Sequence, residues 1–257
     1  MALQGTGSLI VPSVQELVKQ PITKIPERYI HPNQDPVVVE SHTNSLPQVP
    51  IIDLSKLLFD DATELDKLDQ ACREWGFFQL INHGVNISLV ENMKIGVEQF
   101  FNLPMEEKKE KFWQTPNDIQ GFGQLFVVSD EQKLEWADMF YINTLPLDSR
   151  HPHLIPNIPK PFRFSYFLKI CIFTNGIYRS IEHRGIVNTE KERISVATFH
   201  RLHMSRIIGP TPSLITAERP ALFKTISVAD YIKAYLSHEL KGKSHLDVVR
   251  IQKENGK

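Results

Sequence analysis

The chain has 257 residues, a formal net charge of −1 and 41% hydrophobic residues. That describes a soluble, globular polypeptide and offers no basic excess to nucleic acid or to an anionic membrane surface. Two widely separated cysteines, Cys72 and Cys171, exclude a disulfide framework and point to a reducing compartment.

The opening MALQGTGSLIVPS lacks the basic start and sustained apolar run of a signal peptide, and no apolar stretch is long enough to span a bilayer. A cytoplasmic location is therefore expected. The first fifty or so residues alternate short apolar runs with Pro12, Pro21, Pro26, Pro32, Pro36, Pro47 and Pro50, which predicts an extended or looped lead-in. One short helix interrupts it at Ser13–Lys19, where Ser13 and Glu16 have the spacing of a capping box.

Val49–Leu54 (VPIIDL) reads as a buried strand. Glu64–Trp75 then places Leu65, Leu68, Ala71, Cys72 and Trp75 on one stripe of a helix that Gly76 ends. Phe77–Ile81 is a second strand, and Asn82-His83-Gly84 a turn whose Asn and Gly accept positive φ. Ser88–Phe101 is again helical, with Leu89, Met93, Val97, Phe100 and Phe101 inward. Pro104 closes it, and MEEKKEKF begins a charged, solvated helix. Farther on, Gly121-Phe122-Gly123 leads into Leu125–Val128, and Trp136, Phe140 and Tyr141 are packing residues.

The stretch that carries chemistry runs from Asn175 to His200. Tyr178–Val187 and Ile194–Phe199 read as strands around a polar turn at Asn188–Glu192. Residues two apart share a strand face, so Arg193 and Ser195 present a guanidinium fork and a hydroxyl together, which suits one end of a dicarboxylate. His183 joins that face if the loop is odd (Thr189–Lys191, His183 opposite Ala197) and leaves it if the loop is even. Taken alone, His183 reads first as an ordinary strand histidine and Arg193 as a surface residue paired with a nearby glutamate.

ACREWGFFQLINHGV at Ala71–Val85, the segment from Gly121 to Phe140 and NGIYRSIEHR…NTEKERISVATFH at Asn175–His200 together resemble the plant iron(II)/2-oxoglutarate-dependent dioxygenases. The likeness is to the clade of senescence-related proteins and alkaloid O-demethylases. It covers about the first 163 and the last 85 residues. The resemblance implies an α+β protein in two parts. Residues 1–163 would be the N-terminal α/β dioxygenase domain with its lead-in. Residues 164–257 would be an incomplete double-stranded β-helix, or jelly roll, with a C-terminal helix at Val228–Leu240. It also implies that His183 is the last iron ligand, that Arg193 and Ser195 hold the distal carboxylate of 2-oxoglutarate, and that ascorbate serves as reductant. His83, in its turn, would be structural.

After Arg163 the sequence departs from that pattern. FSYFLKICIF leads straight into Thr174, and neither the family's Asn-Tyr-Tyr-Pro segment nor the His-x-Asp pair that supplies its first two iron ligands stands where the family places it. Oxygen activation in this class needs two imidazoles and a carboxylate on one face of the iron. A jelly roll takes roughly eight strands, yet the C-terminal part offers strands only near Phe167–Phe173, Tyr178–Val187, Ile194–Phe199 and Pro220–Lys224. His245-Leu246-Asp247 lies in the tail, His151-Pro152-His153 in a proline-rich connector, and His200 and His203 lack a carboxylate, so none restores the site.

Three readings follow. One is a catalytically impaired copy of an enzyme that hydroxylates or O-demethylates a small plant specialised metabolite. A second is a working oxidoreductase with improvised ligands, and a third a non-catalytic binding or regulatory protein that uses the N-terminal domain. Expected partners are a small-molecule substrate if active, and otherwise a second chain or full-length relative recruited through unpaired strand edges.

Overall fold

The computed structural model describes residues 9–31, 48–115, 118–124, 127, 129–155, 170–181, 183, 185, 187–188, 190–200, 202–236 and 244–252. Pro32, Pro36, Pro47 and the junction at Arg163 lie outside them.

Short helix α1 (Val14–Leu17) begins at Ser13 as the sequence predicts, but no capping box forms. The free amides of Val14 and Gln15 instead donate to the carboxylate of Asp138 at 2.9 Å each, and the Ser13 hydroxyl donates to it at 2.7 Å. A remote carboxylate satisfies the helix start better than a local glutamate because it takes three donors at once. The same contact ties the lead-in to the body of the chain.

Strands β1 (Ile51–Asp53) and β2 (Gln79–Ile81) pair in parallel, Ile52 beside Leu80. The crossover between them consists of α2 (Leu54–Leu58), α3 (Ala62–Gln70) and one π-helical turn at Ala71–Trp75. Parallel strands need such a crossover, and an apolar helix face is what packs it back. That face differs from the expected stripe. Ala71 is buried and Leu68 partly so, but Leu65 is 47% exposed, while Glu64 is 2% exposed. Glu64 turns inward because its carboxylate accepts the Asp53 amide at 2.8 Å and Lys67 Nζ at 3.2 Å. The Asp53 amide, above all, holds the carboxyl below its ordinary range.

Helix α4 (Ile87–Phe101) is capped by Asn86, whose side chain accepts the Ser88 amide, and it buries Phe100. Phe100, Met105, Phe112 and Phe122 form an aromatic cluster, with Phe140 at 4.4 Å from Phe100 between ring centroids. Helix α5 (Met105–Lys111) is charged but not wholly solvated. Lys108 is buried and donates to Phe101 O at 2.7 Å and Gln15 Oε1 at 2.8 Å, with its ammonium over the Phe122 ring. Burial lowers its pKa. β3 (Gly121–Gly123) and β4 (Met139–Tyr141) form an antiparallel pair beneath this cluster.

The C-terminal part holds the principal corrections. Residues Ile170–Phe173, expected as strand, form α6, a single helical turn. A short apolar run does not distinguish the two by periodicity, and the left-handed Asn175 (φ +50°) and Gly176 (φ +80°) that follow suit a helix stop. Among the described residues, neither Tyr178–Val187 nor Ile194–Phe199 carries strand pairing, and the sheets are three two-stranded pairs. The third pair, unforeseen, joins β5 (Ile207–Ile208) to β6 (Ile226–Ser227). The strand read at Pro220–Lys224 reduces to a bridge between Phe223 and Arg250.

Helix α7 (Val228–Leu236) starts where expected, the Ser227 hydroxyl accepting the Asp230 amide and donating to its carboxylate. Cys171, Ile172, Ile208, Phe223, Val228, Tyr231, Leu246 and Val249 close into one apolar core, the last two around short helix α8 (Ser244–Asp247). Large apolar side chains still stay exposed around it, Ile207 at 68% among them, and in the segment between these elements as well. There Ile181, Val187, Ile194, Val196 and Phe199 are exposed.

Asn175, 2% exposed, locks this core. Its amide donates to Pro220 O at 3.0 Å and its carbonyl accepts Leu222 N–H at 2.8 Å. Asn175→Ala removes both hydrogen bonds at once and should cost about 1–3 kcal/mol. Urea unfolding checks this, and a change below about 1 kcal/mol would contradict the assignment.

Candidate functional site

The site segment is positioned by a defect in a helix. In the turn at Ala71–Trp75 the Gly76 amide reaches back five residues to Ala71 O at 2.8 Å. Cys72 O, its ordinary acceptor four residues back, is thereby released. It accepts the Arg179 amide at 2.9 Å, so residues after α6 are stitched by their backbone onto the crossover helix. Gly76 is in the left-handed region (φ +73°), and a Cβ there would stand 2.6 Å from Arg179 O. Sequence reasoning assigned Gly76 only a helix stop. Its second role, admitting another backbone, has no local signature.

Side chains reinforce the seam. Tyr178 donates its hydroxyl to Asp69 at 2.9 Å, and Arg73 donates to the other oxygen of Asp69 at 2.6 Å while lying over the Tyr178 ring. The Arg73 guanidinium, then the Tyr178 hydroxyl, hold the Asp69 carboxyl below its usual range, and the hydrogen bond to Asp69 raises the Tyr178 phenol in turn.

His183 follows four residues on. Its ring is exposed and stacks on Phe77, with 6.5 Å between centroids and 29° between planes. Its Nδ1 lies 3.4 Å from Ile181 O, a contact within its own segment. Beyond it, the Asn188 side chain accepts the amides of Glu190 and Lys191 and turns the chain. Arg193 then comes back alongside. A Cβ on Gly185 would lie 3.0 Å from Arg193 Nη1, which places the guanidinium two residues from His183 along the outgoing arm. Arg193 and Ser195 are both exposed.

Several of the other described histidines have partners of their own. His83 Nδ1 accepts the Val85 amide, closing its own turn. His203 engages Ser205. His151 lies 3.1 Å from Asp118 and stacks on His153, an acidic partner that sequence spacing did not reveal. Leu246 of the His-x-Asp at 245–247 belongs to the core, while Asp247 pairs with Arg250. Among the described residues, no three His, Cys, Asp or Glu side chains converge as a metal-binding group. None of their helices is long and apolar enough to cross a membrane.

Comparison with known proteins gives this arrangement its lineage. Residues 49–159 match the N-terminal region of the non-haem dioxygenase in morphine synthesis, and residues 153–202 match the 2OG-Fe(II) oxygenase superfamily. Protein SRG1 of Arabidopsis thaliana is 36% identical, over 95% of this chain and 98% of its own length. The chain belongs to the plant 2-oxoglutarate/Fe(II)-dependent dioxygenase family. Codeine O-demethylase of Papaver somniferum is 35% identical, over 96% of this chain and 98% of its own. Oxoglutarate-dependent flavonoid 7-O-demethylase 1 of Ocimum basilicum is 36% identical, over 95% and 92%.

The alignment with SRG1 runs over 350 positions, more than the 257 residues of this dioxygenase-family chain, so it bridges positions that the chain does not fill. A crystal structure of JOX2 in complex with 2OG, Fe and JA shares the fold, with a TM-score of 0.77 at 22% identity over 94% of this chain and 98% of that one.

The seam at Gly76 makes a differential prediction. Gly84 has a similar φ of +70°, but a Cβ there would meet nothing within 4 Å, so Gly84→Ala should cost only the roughly 1–2 kcal/mol of left-handed backbone. Gly76→Ala should cost at least about 2 kcal/mol more, since a main-chain oxygen must also move. Thermal unfolding of both variants checks it, with amide exchange at Arg179 as the local readout. Equal losses, with Arg179 still protected, would contradict the close approach.

Proposed function

We propose that this chain is a catalytically impaired member of the dioxygenase family, descended from an enzyme for oxidative hydroxylation or O-demethylation of a small plant specialised metabolite. On this reading the central part of the catalytic domain, after about Arg163, has been lost, and residues 164–257 are what remains of the barrel. His183 stands where the family's last iron ligand stands, and Arg193 with Ser195 where the 2-oxoglutarate carboxylate is held. The dicarboxylate chemistry of a planar guanidinium and a hydroxyl on one arm supports the second assignment.

One observation carries the reading: His183 is an exposed imidazole whose described polar contact is its own main chain, with no second imidazole and no carboxylate converging on it among the described residues. Fe(II) needs a facial set of three such donors, leaving open positions for the oxo-acid and oxygen. The described donor set does not fit that requirement, so no step through iron is assigned to this chain. A binding or regulatory role for the N-terminal part is the second reading. The closed aromatic cluster around Phe100 favours it, since that part keeps a packed core without the missing segment.

The decisive assay is succinate formation from 2-oxoglutarate by purified protein supplied with Fe(II) and ascorbate, beside codeine O-demethylase of Papaver somniferum with codeine as positive control. The expected result is a rate indistinguishable from buffer with iron, and no change on His183→Ala. Iron-dependent succinate that His183→Ala abolishes would overturn the proposal.

A further inference from the structure

Lys108 is a buried cation with no part in the chemistry considered so far. It is 2% exposed, and its ammonium lies 4.9 Å from the centroid of the Phe122 ring. Its two hydrogen bonds end on neutral oxygens, Phe101 O at 2.7 Å and Gln15 Oε1 at 2.8 Å. Phe101 ends α4 in the body of the chain, whereas Gln15 belongs to α1 in the lead-in. The ammonium is thus shut in between the body and a short helix that Asp138 holds by the Ser13 hydroxyl and the amides of Val14 and Gln15. Past α1, residues 18–27 are all exposed. A second anchor then ties the lead-in to the body, with Lys133 donating to Glu27 O at 2.6 Å and Arg28 to Ser129 O at 2.8 Å. An exposed span between two anchors lets the first lift while the second holds.

We propose that α1 is a proton-linked strap, which closes over Lys108 and lifts more readily as the pH falls from alkaline towards neutral. Lifting returns the amine to water, and there it takes up a proton. Burial, the largest influence, pushes the Lys108 amine below the ordinary lysine range. The charges that face it are Asp138, Glu16 and Lys19 of α1, and Glu192 of the arm; the three carboxylates raise it and Lys19 lowers it. The sign of the linkage follows. Between the lowered value and roughly 10.4, where a free lysine titrates, the lifted form binds more protons than the closed one. Closure therefore gains stability as the pH rises through that window and is weakest below it. Glu192 precedes Arg193, so the same balance of charge joins the lead-in to the arm that bears Arg193. The device does not depend on whether the chain binds iron.

The test combines a carbon-13 NMR titration of the lysine Cε groups of the whole chain with amide exchange in α1. The Lys108 signal, assigned by its loss in Lys108→Met, should titrate at a lower pH than the exposed lysines. Val11→Ala with Val14→Ala removes apolar grip from the lead-in without altering a charge, since both valines are buried. In that variant the midpoint should move up by about 0.5 or more in pH, towards the exposed lysines. Val14→Ala alone replaces the pair if circular dichroism shows the pair to be unfolded. Exchange of the Val14 and Gln15 amides is read as a ratio to Lys108→Met at the same pH, which cancels the intrinsic rate. That ratio should fall about twofold or more between pH 7 and pH 9.5. Lys108 titrating with the exposed lysines would overturn the proposal. So would a low midpoint that loosening the lead-in leaves in place, or an exchange ratio that is flat across the range.

Discussion

Everything distinctive about this chain depends on one backbone hydrogen bond, from the Arg179 amide to the Cys72 carbonyl. It exists because the crossover helix loosens into a π turn and releases that carbonyl, and because Gly76 has no side chain to block the approach. Through it the segment bearing His183 is fixed to the N-terminal part even though much of the family's intervening barrel has no counterpart here. The Tyr178–Asp69–Arg73 cluster and the Phe77–His183 stack add side-chain grip to the same seam. The outcome is that His183 is held at this seam with no metal-binding group converging on it among the described residues.

The two flanking cores explain how such a chain holds together. On one side the Phe100 cluster is closed by α4, α5, β3 and β4. On the other, α6, β5, β6, α7 and α8 bury their own apolar faces around Asn175. Neither core needs the strands a complete jelly roll would supply. In the arm between the cores Ile194, Val196 and Phe199 are exposed.

Local signals were legible in the sequence and remote ones were not. The limits of α4, the Gly76 stop, the Asn82–Gly84 turn and the start of α7 follow from caps and periodicity within a few residues. The Asp138 cap on α1, the inward turn of Glu64 toward the Asp53 amide and the burial of Lys108 beneath Gln15 each require a partner that only the folded chain brings near. The helical form of Ile170–Phe173 was hidden for another reason, since four apolar residues carry no readable period. At the site, residue types pointed to His183, Arg193 and Ser195, and the family likeness gave them roles. The contact between Arg193 and Gly185 was invisible because it depends on a turn register the sequence left open, and the docking of Tyr178 because its partner, Asp69, lies 109 residues away.

The account rests on the claim that a lone imidazole beside an anchor for an oxo-acid does not make an oxygen-activating centre. An anaerobic Fe(II) titration in the presence of 2-oxoglutarate tests it most directly, read by equilibrium dialysis and by the charge-transfer absorption of 2-oxoglutarate chelated to ferrous iron. The account predicts no stoichiometric iron and no such band at micromolar metal. One tightly held Fe(II) per chain, with the band present and both signals lost on His183→Ala, would contradict it.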